Sequence, residues 1–152
     1  MKLSTREDIE APIGKVHAAV SDFDAIEGRL RARGVPVARD PEAPFEGPGR
    51  RWTADVTWRG RRHHILAELA DVTEGQGYRV VSSSGGVVCD TVIDLVALSK
   101  TRTRMLVSLD LRPTTLSSRL LVQSLRLAKG RLTERLEARV WEFARRVEAG
   151  LE

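Results

Sequence analysis

The sequence predicts an α+β fold, a curved antiparallel sheet wrapped around a long C-terminal helix, with two short helices after the first strand. Three observations predict it. Strand-like runs that alternate apolar and polar residues, separated by tight-turn signals, fill the chain between Arg51 and Pro113. After Pro113 an apolar stripe at helical spacing continues almost to Gly150. Ahead of both, the stretch DIEAPIGKVHAAVSDFDAIE (Asp8 to Glu27) passes from an extended opening into two short amphipathic segments.

Each element has a local reason. Lys2 to Glu10 reads as the first strand. Pro12 falls in the first turn of a helix, where its missing N–H costs nothing. Ile13, Val16 and Val20 follow at helical spacing with His17 beside them, and Ser21-Asp22 stops the helix. Either residue suits the N-cap of a second helix, whose apolar set is Phe23, Ile26 and Leu30 and which ends at Gly34. The stretch GVPVARDPEAPFEGPG is then mostly loop, with a short edge strand at Val35 to Arg39. A loop of this length suits the mouth of a site or a variable surface segment.

The strands that follow have dry and wet faces. Trp52, Ala54, Val56 and Trp58 form one inner face, and His63, Ile65, Ala67 and Leu69 the next, with His64 and Glu68 opposite. Tyr78, Val80 and Ser82 face inward, then Val87, Cys89, Thr91, Ile93 and Leu95 opposite Asp90 and Asp94. Met105, Val107, Leu109 and Leu111 complete the face, with Arg104, Ser108, Asp110 and Arg112 outside. Thr114 or Thr115 caps the final helix, whose stripe is Leu125, Leu132, Leu136, Val140, Phe143 and Val147. Trp52, Ile65, Val80, Ile93 and Val107 are expected to pack on Leu132, Leu136 and Val140, with Trp52 and Trp58 pointing at the long helix.

The bulk properties fit one globular domain spanning 1–152, with 41% hydrophobic and 30% charged residues. The N-terminus lacks the apolar run of a signal peptide, and no run is long enough to cross a bilayer. Cys89 is the only cysteine, so no intrachain disulfide forms, which fits a cytoplasmic location. The net charge of +4 is carried mostly by arginines, which read as dispersed among acids in RLTERLEARVWEFARR. A solvated surface is therefore expected rather than a specific nucleic-acid footprint.

The order of elements resembles the START/SRPBCC superfamily, the helix-grip fold that includes polyketide cyclase/dehydrase-like and coenzyme-Q-binding branches. The resemblance covers essentially the whole chain. It rests on DIEAPIGKVHAAVSDFDAIE, where the family typically has strand, Ala-Pro, helix and a D-F break, on TVIDLVALSKTRTRMLVSLDLRP, and on the terminal helix. It implies a cavity between sheet and C-terminal helix, where members hold lipids, sterols, polyketides or other apolar molecules. Binding of a small apolar or amphipathic ligand (a lipid, quinone, polyketide or aromatic) is thus the first expectation, for a monomer or weak homodimer. An interaction module of the coenzyme-Q-binding, ribosome-associated type is the second. A cyclase- or dehydratase-like enzyme working in the same cavity is the third.

The inward residues expected to touch a ligand are Trp52, Val56, Trp58, Ile65, Tyr78, Cys89, Thr91, Ile93, Met105, Val107, Leu132 and Leu136. Thr91 and Ser82 are polar groups in an apolar face, suited to a ligand hydroxyl or carbonyl or to a nearby backbone carbonyl. No catalytic residue, metal or cofactor is expected. His63 and His64 are strand neighbours and point to opposite faces, so both cannot hold one ion. Cys89 lies among apolar residues, where a thiol behaves as a small core residue. No Gly-x-Ser-x-Gly elbow or phosphate-cradling loop occurs, and the outward aspartates give no paired-carboxylate site. Gly130, expected mid-helix, either gives a ligand or the sheet room to approach or is an exposed position without a role.

Overall fold

In the computed structural model, which describes residues 1–150, strands β1 (Lys2–Ile9), β2 (Val37–Arg39), β3 (Arg51–Trp58), β4 (Arg61–Thr73), β5 (Gly77–Ser84), β6 (Val87–Ser99) and β7 (Arg102–Pro113) form one antiparallel sheet. Its spatial order is β1-β7-β6-β5-β4-β3-β2, a meander from β2 to β7 closed by the N-terminal strand along β7. Helices α1 (Ile13–Val20) and α2 (Phe23–Ala32) follow β1, and α3 (Leu116–Leu127) and α4 (Lys129–Glu148) follow β7.

Local chemistry accounts for the breaks. Pro12 is extended (φ −62°, ψ 149°) and sits at the N-cap of α1, one residue ahead of the expected first turn. The Ser21 hydroxyl donates to the His17 carbonyl at 2.5 Å and closes α1. The Asp22 carboxylate accepts the Ala25 N–H at 3.2 Å and opens α2. Thr115 and Ser118 form a reciprocal capping box at the start of α3.

The C-terminal helical region is divided at Ala128, which leaves helical geometry (φ −100°, ψ 11°) and bonds its N–H to Leu125 three residues back. Gly130, two residues on, weakens the helix at this point. A side chain there would meet only open space, so the glycine is not making room for the sheet. The division lets α3 lie against β7 while α4 runs along β1.

The strand register bears out the alternation read from the sequence: Trp52 pairs with Ala67, Val80 with Thr91, Ile93 with Val107 and Leu95 with Met105. A bulge between Leu69 and Asp71 interrupts β4. The outer face carries cross-strand ion pairs, with Asp90 taking Arg79 at 2.7 Å and Arg112 at 2.6 Å. Asp8 takes Arg104 at 2.8 Å. These pairs mark the wet face.

The inner face is shared by several covers. Helices α4 and α1 together seal the β1-β7-β6 half, where Val140, Ala144 and Val147 of α4 and Val16 and Val20 of α1 pack with Ile9, Leu95, Met105 and Val107. Helix α2 covers the β3-β4-β5 half. The expected packing of the whole face on the C-terminal stripe is therefore corrected in part: Ile93 and Val107 meet that core, but Trp52, Ile65 and Val80 are outside it. The Trp52 ring lies instead 5.3 Å from Phe23 of α2. The physical reason is reach: a single straight helix covers only part of a seven-stranded sheet.

A candidate ligand cavity beneath α2

Between α2 and the sheet lies a hollow of about 270 Å³. Phe23, Ile26, Glu27 and Leu30 roof it. Ala54, Ala67, Val80 and Ile93 contribute floor from β3 to β6, with Trp52, Tyr78, Thr91 and Val37 at the sides. The floor follows from the strand period, since the inward positions are mostly apolar and the pairs Trp52↔Ala67 and Ala54↔Ile65 alternate large with small. The two alanines leave the space. The roof follows from the 3.6-residue period, which sets Phe23, Ile26, Glu27 and Leu30 on one side of α2.

Glu27 is a carboxylate on that apolar side and is only 5% exposed. Its charge is answered from several directions. Arg39 Nε donates to Oε1 at 3.1 Å and Oε2 at 2.8 Å, and Arg50 Nη2 donates to Oε2 at 3.2 Å. Trp52 Nε1 adds 3.2 Å and Arg31 Nη2 adds 3.3 Å. The exposed Asp24 carboxylate takes Arg39 and, at 3.4 Å, Arg50. Burial, reinforced by the nearby Arg50 guanidinium, draws the Arg39 pKa below its ordinary value. The Arg50 guanidinium is stacked near the Phe23, Trp52 and Phe45 rings at 5.2, 5.1 and 5.9 Å, and its Nε is buried without a hydrogen-bond partner. Phe45, from the proline-rich loop, also lies 4.9 Å from Arg39. This cluster ties α2, β2, β3 and the loop together at one end of the hollow.

The polar side chains on the cavity wall are mostly committed. Glu27 and Trp52 Nε1 belong to the cluster. The Tyr78 hydroxyl donates to the Val20 carbonyl at 2.6 Å, and burial raises its pKa. Thr91 has only a long contact of 3.8 Å with Cys89 Sγ. Its hydroxyl is the polar group on this wall with donor and acceptor capacity to spare. Burial also pushes the Cys89 thiol up, against thiolate chemistry.

Of the inward residues expected to touch a ligand, the structure brings Trp52, Tyr78, Thr91 and Ile93 together on this wall. Val56, Trp58 and Ile65 lie half-buried beyond the hollow on β3 and β4, with Trp58 6.3 Å from His63 and 4.4 Å from Arg59. Cys89 sits one inward step from Thr91 on β6. Met105 and Val107 are buried under α4, Leu136 packs against that same core, and Leu132 is half-buried near the start of α4. The roof residues were not among the expected contacts. A signal existed for Glu27, which stands four residues after Phe23 and three before Leu30, at a core-facing position of an amphipathic helix. Arg39 and Arg50 flank an irregular loop and carry no periodic signal. Among the described residues no cluster of three or more metal-ligating side chains occurs.

No protein-family model matches the chain, and no curated protein matches it in sequence. Solved structures do match in shape. A Thermus thermophilus protein, TTHA0849, superposes with a TM-score of 0.71 at 18% identity over 100% of both chains. The ZhuI aromatase/cyclase from Streptomyces gives 0.65 at 16% identity, covering 99% of this chain and 97% of its own. A START superfamily protein from Mycobacterium smegmatis gives 0.56 at 18% identity, covering 90% and 97%. The chain thus has the helix-grip fold that these structures share.

Proposed function

We propose that residues 1–152 act as one ligand-binding domain that holds a small, mainly apolar molecule beneath α2, with one hydrogen-bonding group of that molecule directed at Thr91. The observation that carries this reading is the hollow of about 270 Å³, mainly apolar on its walls, with one hydroxyl, Thr91, held only by its long 3.8 Å contact with Cys89 Sγ. Ala54 and Ala67 are half-buried, and their small side chains leave the space between sheet and α2 that larger residues would fill.

Size narrows the ligand. An apolar cavity of roughly 150 Å³ takes benzene, and ligand pockets usually begin at about 300 Å³. A bicyclic aromatic, a quinone head group or a medium-length acyl chain fits this hollow. A sterol or a long polycyclic polyketide needs α2 to move. Binding is favoured over turnover because Glu27, the carboxylate on the wall, has its lone pairs taken by Arg39, Arg50, Arg31 and Trp52. A cytoplasmic setting suits the single half-buried thiol.

Calorimetry with 1-naphthol and its hydroxyl-free counterpart 1-methylnaphthalene tests the reading. The wild-type protein is expected to bind 1-naphthol more tightly, and Thr91→Val to narrow the difference by about 1 kcal/mol. A difference that survives Thr91→Val unchanged places the hydroxyl elsewhere and contradicts the role given to Thr91.

A further inference from the structure

A second hollow, of about 330 Å³, lies on the other side of α2, between that helix and α4. Its apolar floor is Ile26, Leu30 and Phe143. Its rim carries Arg29, Arg33, Arg139 and Arg146, with Glu142 the one carboxylate there among the described residues; Arg29 and Arg146 also have partners of their own. Glu142 takes Arg33 and Arg139, each at 3.4 Å. Ile26 and Leu30 line both this groove and the inner cavity, so a single edge of α2 separates them.

The basic rim is not an accident of one loop. At 100° per residue, Arg131, Arg135, Arg139 and Arg146 fall within an arc of about 80° on α4. Glu134 and Glu137 fall on the opposite flank with Trp141. Acids and bases still mix, since Glu142 falls inside the basic arc and Arg145 lies on the acidic flank, paired with Glu7 and Glu148, but four arginines share one flank of α4.

We infer that the α2/α4 groove is a head-group site for an anionic amphiphile, a carboxylate or phosphate monoester whose apolar part lies over the Ile26–Leu30 edge and into the cavity beneath α2. The inference rests on the cavity reading for the tail and on the arginine rim for the head. Guanidinium forks suit carboxylate and phosphate oxygens alike. The apolar floor favours an amphiphile over a nucleic-acid backbone, and Glu142 in the middle of the rim would repel a run of phosphates.

The test compares decanoate, decyl phosphate and decanol, which share a tail, by calorimetry at low salt. Decanoate or decyl phosphate is expected to bind about tenfold or more tightly than decanol, as hydrogen bonds to charged groups allow. The preferred anion identifies the head group. The advantage is expected to shrink in Arg33→Gln/Arg139→Gln, to grow in Glu142→Gln, and to fade with added salt. Equal binding of anion and alcohol overturns the head-group site and leaves the cavity reading standing. Anion binding that ignores the cavity-filling Ala67→Phe keeps the head-group site but overturns the tail's place in the cavity. No binding of any of the three overturns both. A short DNA duplex that binds more tightly than the anions, with loss in Arg33→Gln/Arg139→Gln, reassigns the groove to nucleic acid and overturns the inference.

Discussion

Glu27→Leu is expected to destabilise the protein by about 3–5 kcal/mol, the usual cost of removing one partner from a buried ion pair. The carboxylate is 5% exposed and is the common acceptor for Arg39, Arg50, Arg31 and Trp52. Without it, the Arg50 guanidinium stays between aromatic rings with only the exposed Asp24 near it. Urea denaturation measures the loss, and thermal unfolding should show a midpoint lower by about 10 °C. The double variant Glu27→Leu/Arg50→Met is expected to recover part of it, because the orphaned charge goes with its partner. A Glu27→Leu protein as stable as the wild type would mean that the cluster does not hold α2 to the sheet.

Ala67→Phe is expected to have the largest effect on binding. Position 67 lies on the cavity floor opposite Trp52. A phenyl ring there occupies space the ligand needs. Affinity for decanol or 1-naphthol should fall about a hundredfold, equivalent to the ~3 kcal/mol gained by burying a ring-sized apolar surface. Stability is expected to change by no more than about 1 kcal/mol in either direction, since the ring enters empty space instead of a packed core. Denaturation and calorimetry on the same preparation separate the two effects. A loss of several kcal/mol of stability, or binding that is unchanged, would show that the hollow is not where the ligand sits.

The sheet was legible because strand patterning is local. Alternation between Trp52 and Leu111 assigns each side chain to a face, and one buried face pins the register. The cover was less legible. The stripe from Leu125 to Val147 announces a helix, but nothing in its spacing says how far across the sheet it reaches. Helix α4 lies over β1, whereas α2, only ten residues long, roofs the hollow. The polar clasp was hidden for another reason. Glu27, Arg39 and Arg50 are separated in sequence, and only the pairing of β2 with β3 brings Arg39 beside Trp52. The basic groove lay in plain view once helical angles were applied to α4, but its α2 half, Arg29 and Arg33, depends on tertiary contact.

Trp52 offers the most direct test of the central claim, that the ligand lies beneath α2. It stands on the cavity wall, half-buried Trp58 lies beyond the hollow, and Trp141 is 52% exposed on the far flank of α4. The measurement is tryptophan emission during a decanol titration of Trp58→Phe/Trp141→Phe, which leaves Trp52 as the sole reporter, with calorimetry in parallel. The emission is expected to change and to saturate at the calorimetric midpoint. Decanol binding that calorimetry registers while Trp52 stays silent, with the response appearing instead in a protein that keeps only Trp141, would contradict the claim.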